Sequence, residues 1–257
     1  MKLGLKLWSN NTEAYLKDAE KLYSRNIFDY IELYVVPNTL DTIAKWKKLN
    51  IPFTLHAPHF IHETNLADPT KEKFNIEIFK QVDEFYNELN AGYTVVHSGI
   101  EGNIDETIRQ LKIIQPQKML IENKPFVAPL RDNRICRGAT LEEISKVIEE
   151  IGCGFCLDVG HAICTANTLK FEPYEFVRQF NELNPTCYHL SDNFIDSELD
   201  KHLHFGAGNY DLKRIFGIID TEKNIAIETN KNSKENLDDF IEDVKYIRNI
   251  KGRNTNG

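Results

Sequence analysis

In this 257-residue chain, the residue types able to hold a metal ion or move a proton recur at the ends of short apolar runs. LHAPH carries His56, VVHSG carries His97 and LIENKP carries Glu122. CLDVGHA carries Asp158 and, three residues on, His161. YHLSDN carries His189 and AIETN carries Glu228, and between these two lies Asp200-Lys-His202. Carboxylates and imidazoles are expensive to bury alone. Convergence on a divalent cation offsets that cost, and a mixed His/carboxylate set suits zinc, manganese, iron or cobalt better than calcium. Any one of these histidines is more simply explained as a hydrogen-bonded residue next to a core. Six consecutive runs finishing in His, Asp or Glu are harder to explain that way. His59 is expected to face the same place, His62 to lie on a surface loop, and His204 has no assignment.

Such residues meet only if the runs end at one place. The runs read as strands: Leu3–Leu7, Tyr30–Val35, Pro52–His56, Tyr93–His97, Lys118–Glu122, Gly154–Asp158, Thr186–Leu190 and Asn224–Glu228. Most are continuously apolar, as strands buried on both faces of a parallel sheet are. Between them lie helix-period segments. Asn11 is expected to cap a helix to about Tyr23, and Asn38 to cap TLDTIAKWKKL. Thr70 to Asn90 carries Phe74, Ile78, Val82 and Phe85 at spacings of three and four. Asn103 precedes IDETIRQLKII, and Thr140 with Glu143 has capping-box spacing. Pro173 suits a first helical turn, a short helix follows Asp211, and Ser233 is expected to cap the last. Eight alternating units predict parallel strands with right-handed crossovers, and at this length a single-domain (β/α)8 barrel over residues 1–251, with 252–257 a loose polar tail. An open dinucleotide-binding sheet would show a glycine-rich turn after the first strand, where this chain has KLWSNN. In a barrel all strand C-termini share one mouth, where active sites form.

Composition narrows the partners. Lys and Arg total 31 against 39 Asp and Glu, a net charge of −8, and no basic nucleic-acid footprint is evident. Mean hydropathy is −0.43, and no stretch approaches the roughly 18 uninterrupted apolar residues of a membrane span. The opening MKLGLKLWSNN soon turns polar and does not read as a secretory leader. Five scattered cysteines, with one C-x-x-C at Cys153 and Cys156, form neither a disulfide framework nor a complete zinc site. Reduced thiols and a cytoplasmic location are the expectation, with no membrane partner.

LHAPH, CLDVGHA, and HLSDN followed by DKHLHFGAG resemble the xylose isomerase-like barrel superfamily, which holds sugar isomerases and epimerases together with endonuclease IV. The resemblance runs from the first strand to the last. The endonuclease IV pattern implies three metals: one on His56, His97 and Glu122, one on Glu122, Asp158, His189 and Glu228, one on His161, Asp200 and His202. The epimerase pattern implies a single metal on Glu122, Asp158, His189 and Glu228, with the two glutamates exchanging the substrate proton. The segments SGIEGNIDET and His189 to Asp200 are compact beside the DNA-gripping loops of the nuclease, and Ser98 stands where the nuclease pattern prefers Pro. HAPHFIHETNLADP, in contrast, is similar to a nuclease loop.

Two mechanisms follow. In the favoured one, a divalent ion, zinc or manganese, binds adjacent oxygens of a sugar or sugar phosphate and stabilises an enediolate. Glu122 and Glu228 act as base and acid, and His161 holds a hydroxyl. Lys124, Arg131, Arg134 and Arg137 offer contacts to a phosphate or carboxylate, and His59 a further substrate contact. In the alternative, two or three metals hydrolyse a phosphoester in the manner of an AP endonuclease, although the acidic balance disfavours duplex DNA. The sequence carries no signal for an oligomeric state.

Overall fold

The computed structural model describes residues 1–128 and 134–254. Eight parallel strands close into a barrel in chain order. They are β1 (Lys2–Trp8), β2 (Tyr30–Tyr34), β3 (Phe53–His56), β4 (Thr94–His97), β5 (Met119–Glu122), β6 (Gly154–Asp158), β7 (Cys187–Leu190) and β8 (Asn224–Ile227). β1 closes the ring by pairing with β8, Lys2 opposite Asn224. Each of the eight predicted runs overlaps a strand, β1 extending one residue beyond its run at both ends, and every pairing is parallel.

Nine α-helices occur among the described residues: α1 (Glu13–Ser24), α2 (Ile43–Lys47), α3 (Glu72–Leu89), α4 (Ile104–Ile114), α5 (Leu141–Ile151), α6 (Val159–Leu169), α7 (Pro173–Asn181), α8 (Leu212–Phe216) and α9 (Asp238–Asn254). Asn103 caps α4 by accepting from Glu106 N (2.9 Å). Thr140 accepts from Glu143 N (3.3 Å), and the Glu143 carboxylate reaches back to Gly138 N (2.7 Å). Four predicted starts move. Thr12, not Asn11, stands before α1, because the Asn11 side chain accepts from Trp8 N (2.7 Å) instead. Asn38 is left-handed (φ 62°), so its segment begins as a 3-10 turn over Leu40–Thr42. Asp68 caps the turn leading into α3 by accepting from Thr70 N (2.9 Å). Ser233 caps only a local turn, at Glu235 N (3.0 Å), and α9 begins at Asp238, four residues later than that cap implied. α6 has no counterpart in the sequence reading. It is buried from Val159 to Ala166, polar His161 and Thr165 included, so no alternation of an apolar and a solvated face marks it.

Strand alternation divides the interior. Leu3, Leu5 and Leu7 of β1 pack outward with Leu16, Ala19 and Leu22 of α1 in the main core. Tyr93, Val95, Leu120, Cys156 and Cys187 form a separate small cluster inside the barrel. Gly4 is needed there, since a Cβ on it would lie 2.4 Å from the Tyr30 ring. The five cysteines are free thiols.

Candidate metal centre

Register brings the strand-end residues side by side. His97 pairs with Glu122 across β4 and β5, and Asp158 with His189 across β6 and β7. Glu228 follows β8, its backbone N–H held by Leu190 O (2.9 Å). The side chains converge. His56 Nε2 and His97 Nε2 lie 3.0 and 2.9 Å from Glu122 Oε2. His189 Nδ1 lies 3.0 Å from Glu228 Oε1, 3.7 Å from Glu122 Oε2 and 4.0 Å from Asp158 Oδ2. His161 Nε2 and His202 Nε2 lie 3.3 and 3.1 Å from Asp200 Oδ2. All nine predicted ligand residues therefore reach the mouth. Glu122, Asp158, His161 and His189 are buried, and His202 is half-buried at the rim.

The polar atoms here do not satisfy one another. His189 Nδ1 and Asp200 Oδ2 are buried without a hydrogen bond, because their neighbours stand at the wrong angles. His56 Nδ1 faces Ala57 O (2.8 Å) while its Nε2 faces the Glu122 carboxylate. A neutral imidazole has one proton, so one of those nitrogens aims a lone pair at an oxygen lone pair. Burial, then the nearby Lys6 ammonium, holds His56 below its usual range and therefore neutral. A cation between Nε2 and Glu122 would resolve the clash. Metal–ligand bonds of about 2.0–2.2 Å place two ligands of one ion roughly 3–3.6 Å apart, close to the separations here. Four triads have donor atoms within 4.8 Å of one another: His56/Glu122/His189, Glu122/Asp158/His161, Glu32/His189/Glu228 and His161/Asp200/His202. The residues present fit a divalent ion.

Charge is finely set without metal. Burial pushes the Asp158 carboxyl up to about 6, against the pull of His161. Burial disfavours the His161 imidazolium, but Asp158, with help from Asp200 and Glu122, raises it to about 10. Burial likewise opposes ionisation of Glu122 and Glu228, yet their cationic neighbours hold both well below the usual carboxylate range.

The mouth also holds residues with no assignment from the sequence. Lys6 on β1 donates to Glu32 Oε1 (2.6 Å) and to Glu228 Oε1. Glu32 on β2, fully buried, accepts from His189 Nε2 (3.1 Å to Oε2). A single charge inside an apolar parallel strand, as in KLGLKLW and YIELY, was the available signal. Aromatic rings line one wall. Trp8 stacks on Tyr34 (centroids 4.6 Å), Tyr34 on His56 (5.3 Å), and His56 on His189 (5.9 Å). His59 stacks on His97 (4.5 Å) and lines the cavity, as expected. His62 is half-buried, bonded to Tyr34 OH (2.8 Å), and His204 pairs with Asp243 (2.8 Å) away from the mouth.

Of the proposed anion contacts, Lys124 is buried in the mouth, 3.2 Å from His97 Nε2 and 3.5 Å from Glu122 Oε1. Arg134 is exposed and is not among the residues lining the cavity. Arg137 is tied to Glu101 O (2.9 Å) and Glu143 (3.4 Å). Arg131 lies outside the described residues. The cavity above these groups measures about 730 Å³.

Comparison with known proteins agrees with this architecture. A probable endonuclease 4 of Mycoplasmopsis synoviae is 28% identical over 205 residues, covering 72% of this chain and 69% of its own. The structure of a D-tagatose 3-epimerase-like protein superposes with TM-score 0.72 at 22% identity, covering 98% of both chains. Endonuclease IV from Thermus thermophilus superposes with TM-score 0.71 at 17% identity, covering 98% of this chain and all of its own. Residues 28–250 match the family described as the xylose isomerase-like TIM barrel, and the chain belongs to that family.

Proposed function

We propose that the protein is a metal-dependent isomerase or epimerase of a sugar or sugar phosphate. The supporting observation is the placement of the ligand atoms at the floor of a cavity of about 730 Å³, within the roughly 300–1,000 Å³ range of small-molecule sites. Glu122, Asp158, His189 and Glu228 would hold one divalent ion, zinc or manganese, which when bound supplies Lewis acidity to a carbonyl. The protein's own groups do the rest. Glu228 Oε1 is engaged by Lys6, which leaves Oε2 to take the proton alpha to the carbonyl. Glu122, on the other side of His189, returns it. His161 and the Lys124 ammonium would position hydroxyls or an anionic group, with His59 closing the near wall. Deep burial of the floor excludes bulk water and protects a carbanionic species from side reactions.

The test is deuterium exchange from D2O into the carbon alpha to the carbonyl, across a panel of ketoses, aldoses and their phosphates, with zinc or manganese present. Exchange is expected for at least one substrate, with a loss of roughly 10²-fold or more in Glu228→Gln. Undiminished exchange in that variant would remove the assigned base.

A second reading keeps a specific support. His161, Asp200 and His202 are assembled as a third ligand set, which a one-metal epimerase does not require, and curated relatives include probable endonuclease 4. A two- or three-metal phosphoesterase would use it. Metal-dependent cleavage of an abasic duplex, lost on chelation, would favour that reading. Weak duplex affinity is expected at a net charge of −8, since basic contacts to phosphate supply most non-specific binding.

A further inference from the structure

Lys6 and Glu32 belong to neither ligand set, yet they bind the two halves of the centre together. The Lys6 ammonium touches Glu228 and lies 2.6 Å from Glu32. Glu32 lies 2.9 Å from His189 Nε2. His189 Nδ1 in turn lies 3.0 Å from Glu228. The four groups form a closed ring of alternating charge in the barrel floor. Glu32 can only accept, so it holds a proton of His189 on Nε2, and when a metal displaces the other proton the Nδ1 lone pair is left facing Asp158, Glu122 and Glu228, the arrangement that orients metal-bound histidines. Glu32, His189 and Glu228 are by themselves a triad of metal-ligand geometry, and Lys6 stands against two of its three members.

We infer that Lys6 is a built-in cation of the mouth: it keeps the metal-free site assembled and weakens the site's hold on a metal ion, while Glu32 strengthens that hold by orienting His189. This rests on the metal-centre reading above. With neither metal nor Lys6, Glu32 and Glu228 would face each other across the floor with no counter-charge but His189. With metal, the same ammonium repels a dication sharing its Glu228 ligand. Lys6 therefore acts in opposite directions on the two states, which a residue serving only to fill space would not do.

The experiment compares zinc affinity, by competition with a chelating dye, and the thermal midpoint of the metal-free protein in wild type, Lys6→Met, Lys6→Arg and Glu32→Gln. Methionine nearly preserves the length of the lysine stem. Lys6→Met is expected to bind zinc at least tenfold more tightly while its metal-free midpoint falls. Lys6→Arg is expected to keep wild-type affinity within a few-fold, and Glu32→Gln to bind zinc at least tenfold more weakly. Should Lys6→Met not fold alone, refolding with zinc is expected to recover it, and failure of zinc to do so overturns the inference. So does a Lys6→Met protein that binds zinc as wild type does or more weakly. In those cases the metal centre still stands. A wild-type protein that takes up no zinc would instead overturn the metal-centre reading, and this inference with it.

Discussion

At the scale of single residues, the mouth separates groups that any mechanism needs from groups that only one needs. His189 Nδ1 lies within 4.0 Å of three carboxylates, whereas Asp200 and His202 meet on the far side of His161. In the combined Asp200→Ala and His202→Ala variant, metal content per chain, measured by elemental analysis, is expected to stay near one while substrate affinity falls. A wild-type content of two or three that drops by one in the variant would mark a cluster enzyme. These residues were legible because a barrel brings every strand end to one face, so that counting strand ends is enough. Lys6 and Glu32 were not, because they sit in mid-strand. Whether a mid-strand charge looks into the barrel or out at the helices depends on parity and closure, which one strand read alone does not fix.

At the scale of elements, α6 joins scaffold to chemistry. Asp158 ends β6 and caps α6, its Oδ1 accepting from His161 N (2.7 Å), while Oδ2 faces His189. One carboxylate thus serves a helix start with one oxygen and the candidate centre with the other. Asparagine caps a helix about as well as aspartate but lacks the charge. Asp158→Asn is therefore expected to keep its thermal stability within about 1 kcal/mol of wild type when metal-free while metal affinity drops at least tenfold, and a calorimetric scan with a zinc titration checks both. If stability collapses as well, the charge of Asp158 matters to the fold and not only to the centre. The helix itself escapes sequence reading for a physical reason. Its segment VGHAICTANTL is wedged between barrel and α7, buried over eight of its residues, so it lacks the polar face that reveals α3, α4 and α5. Helices with such a face, or with a capping side chain at the expected position, lie where the sequence predicts them.

At the scale of the molecule, ring closure gives the centre its rigidity, since the predicted ligands are spread over strands β3 to β7, the first turn of α6, the loop between β7 and α8, and the residue that follows β8. No described helix is long and apolar enough to cross a membrane. The aromatic wall then has an optical meaning. Of the two tryptophans, Trp46 is sealed in the core with its indole N–H on Ser9 O (2.8 Å). Trp8 is 37% exposed at the rim and heads the stacked column that descends through Tyr34 and His56 to His189. The chain thus carries its own fluorophore beside the proposed ion. Cobalt(II), which absorbs in the visible and quenches nearby emitters, is expected to dim the intrinsic emission on binding, and a chelator to restore it. In Trp8→Phe the residual Trp46 signal should stay flat through the same titration. Equal quenching in that variant would show that the light comes from the core and that the column does not report on the centre. If the column does report, occupancy can be followed in real time on the unlabelled protein, before any substrate is known.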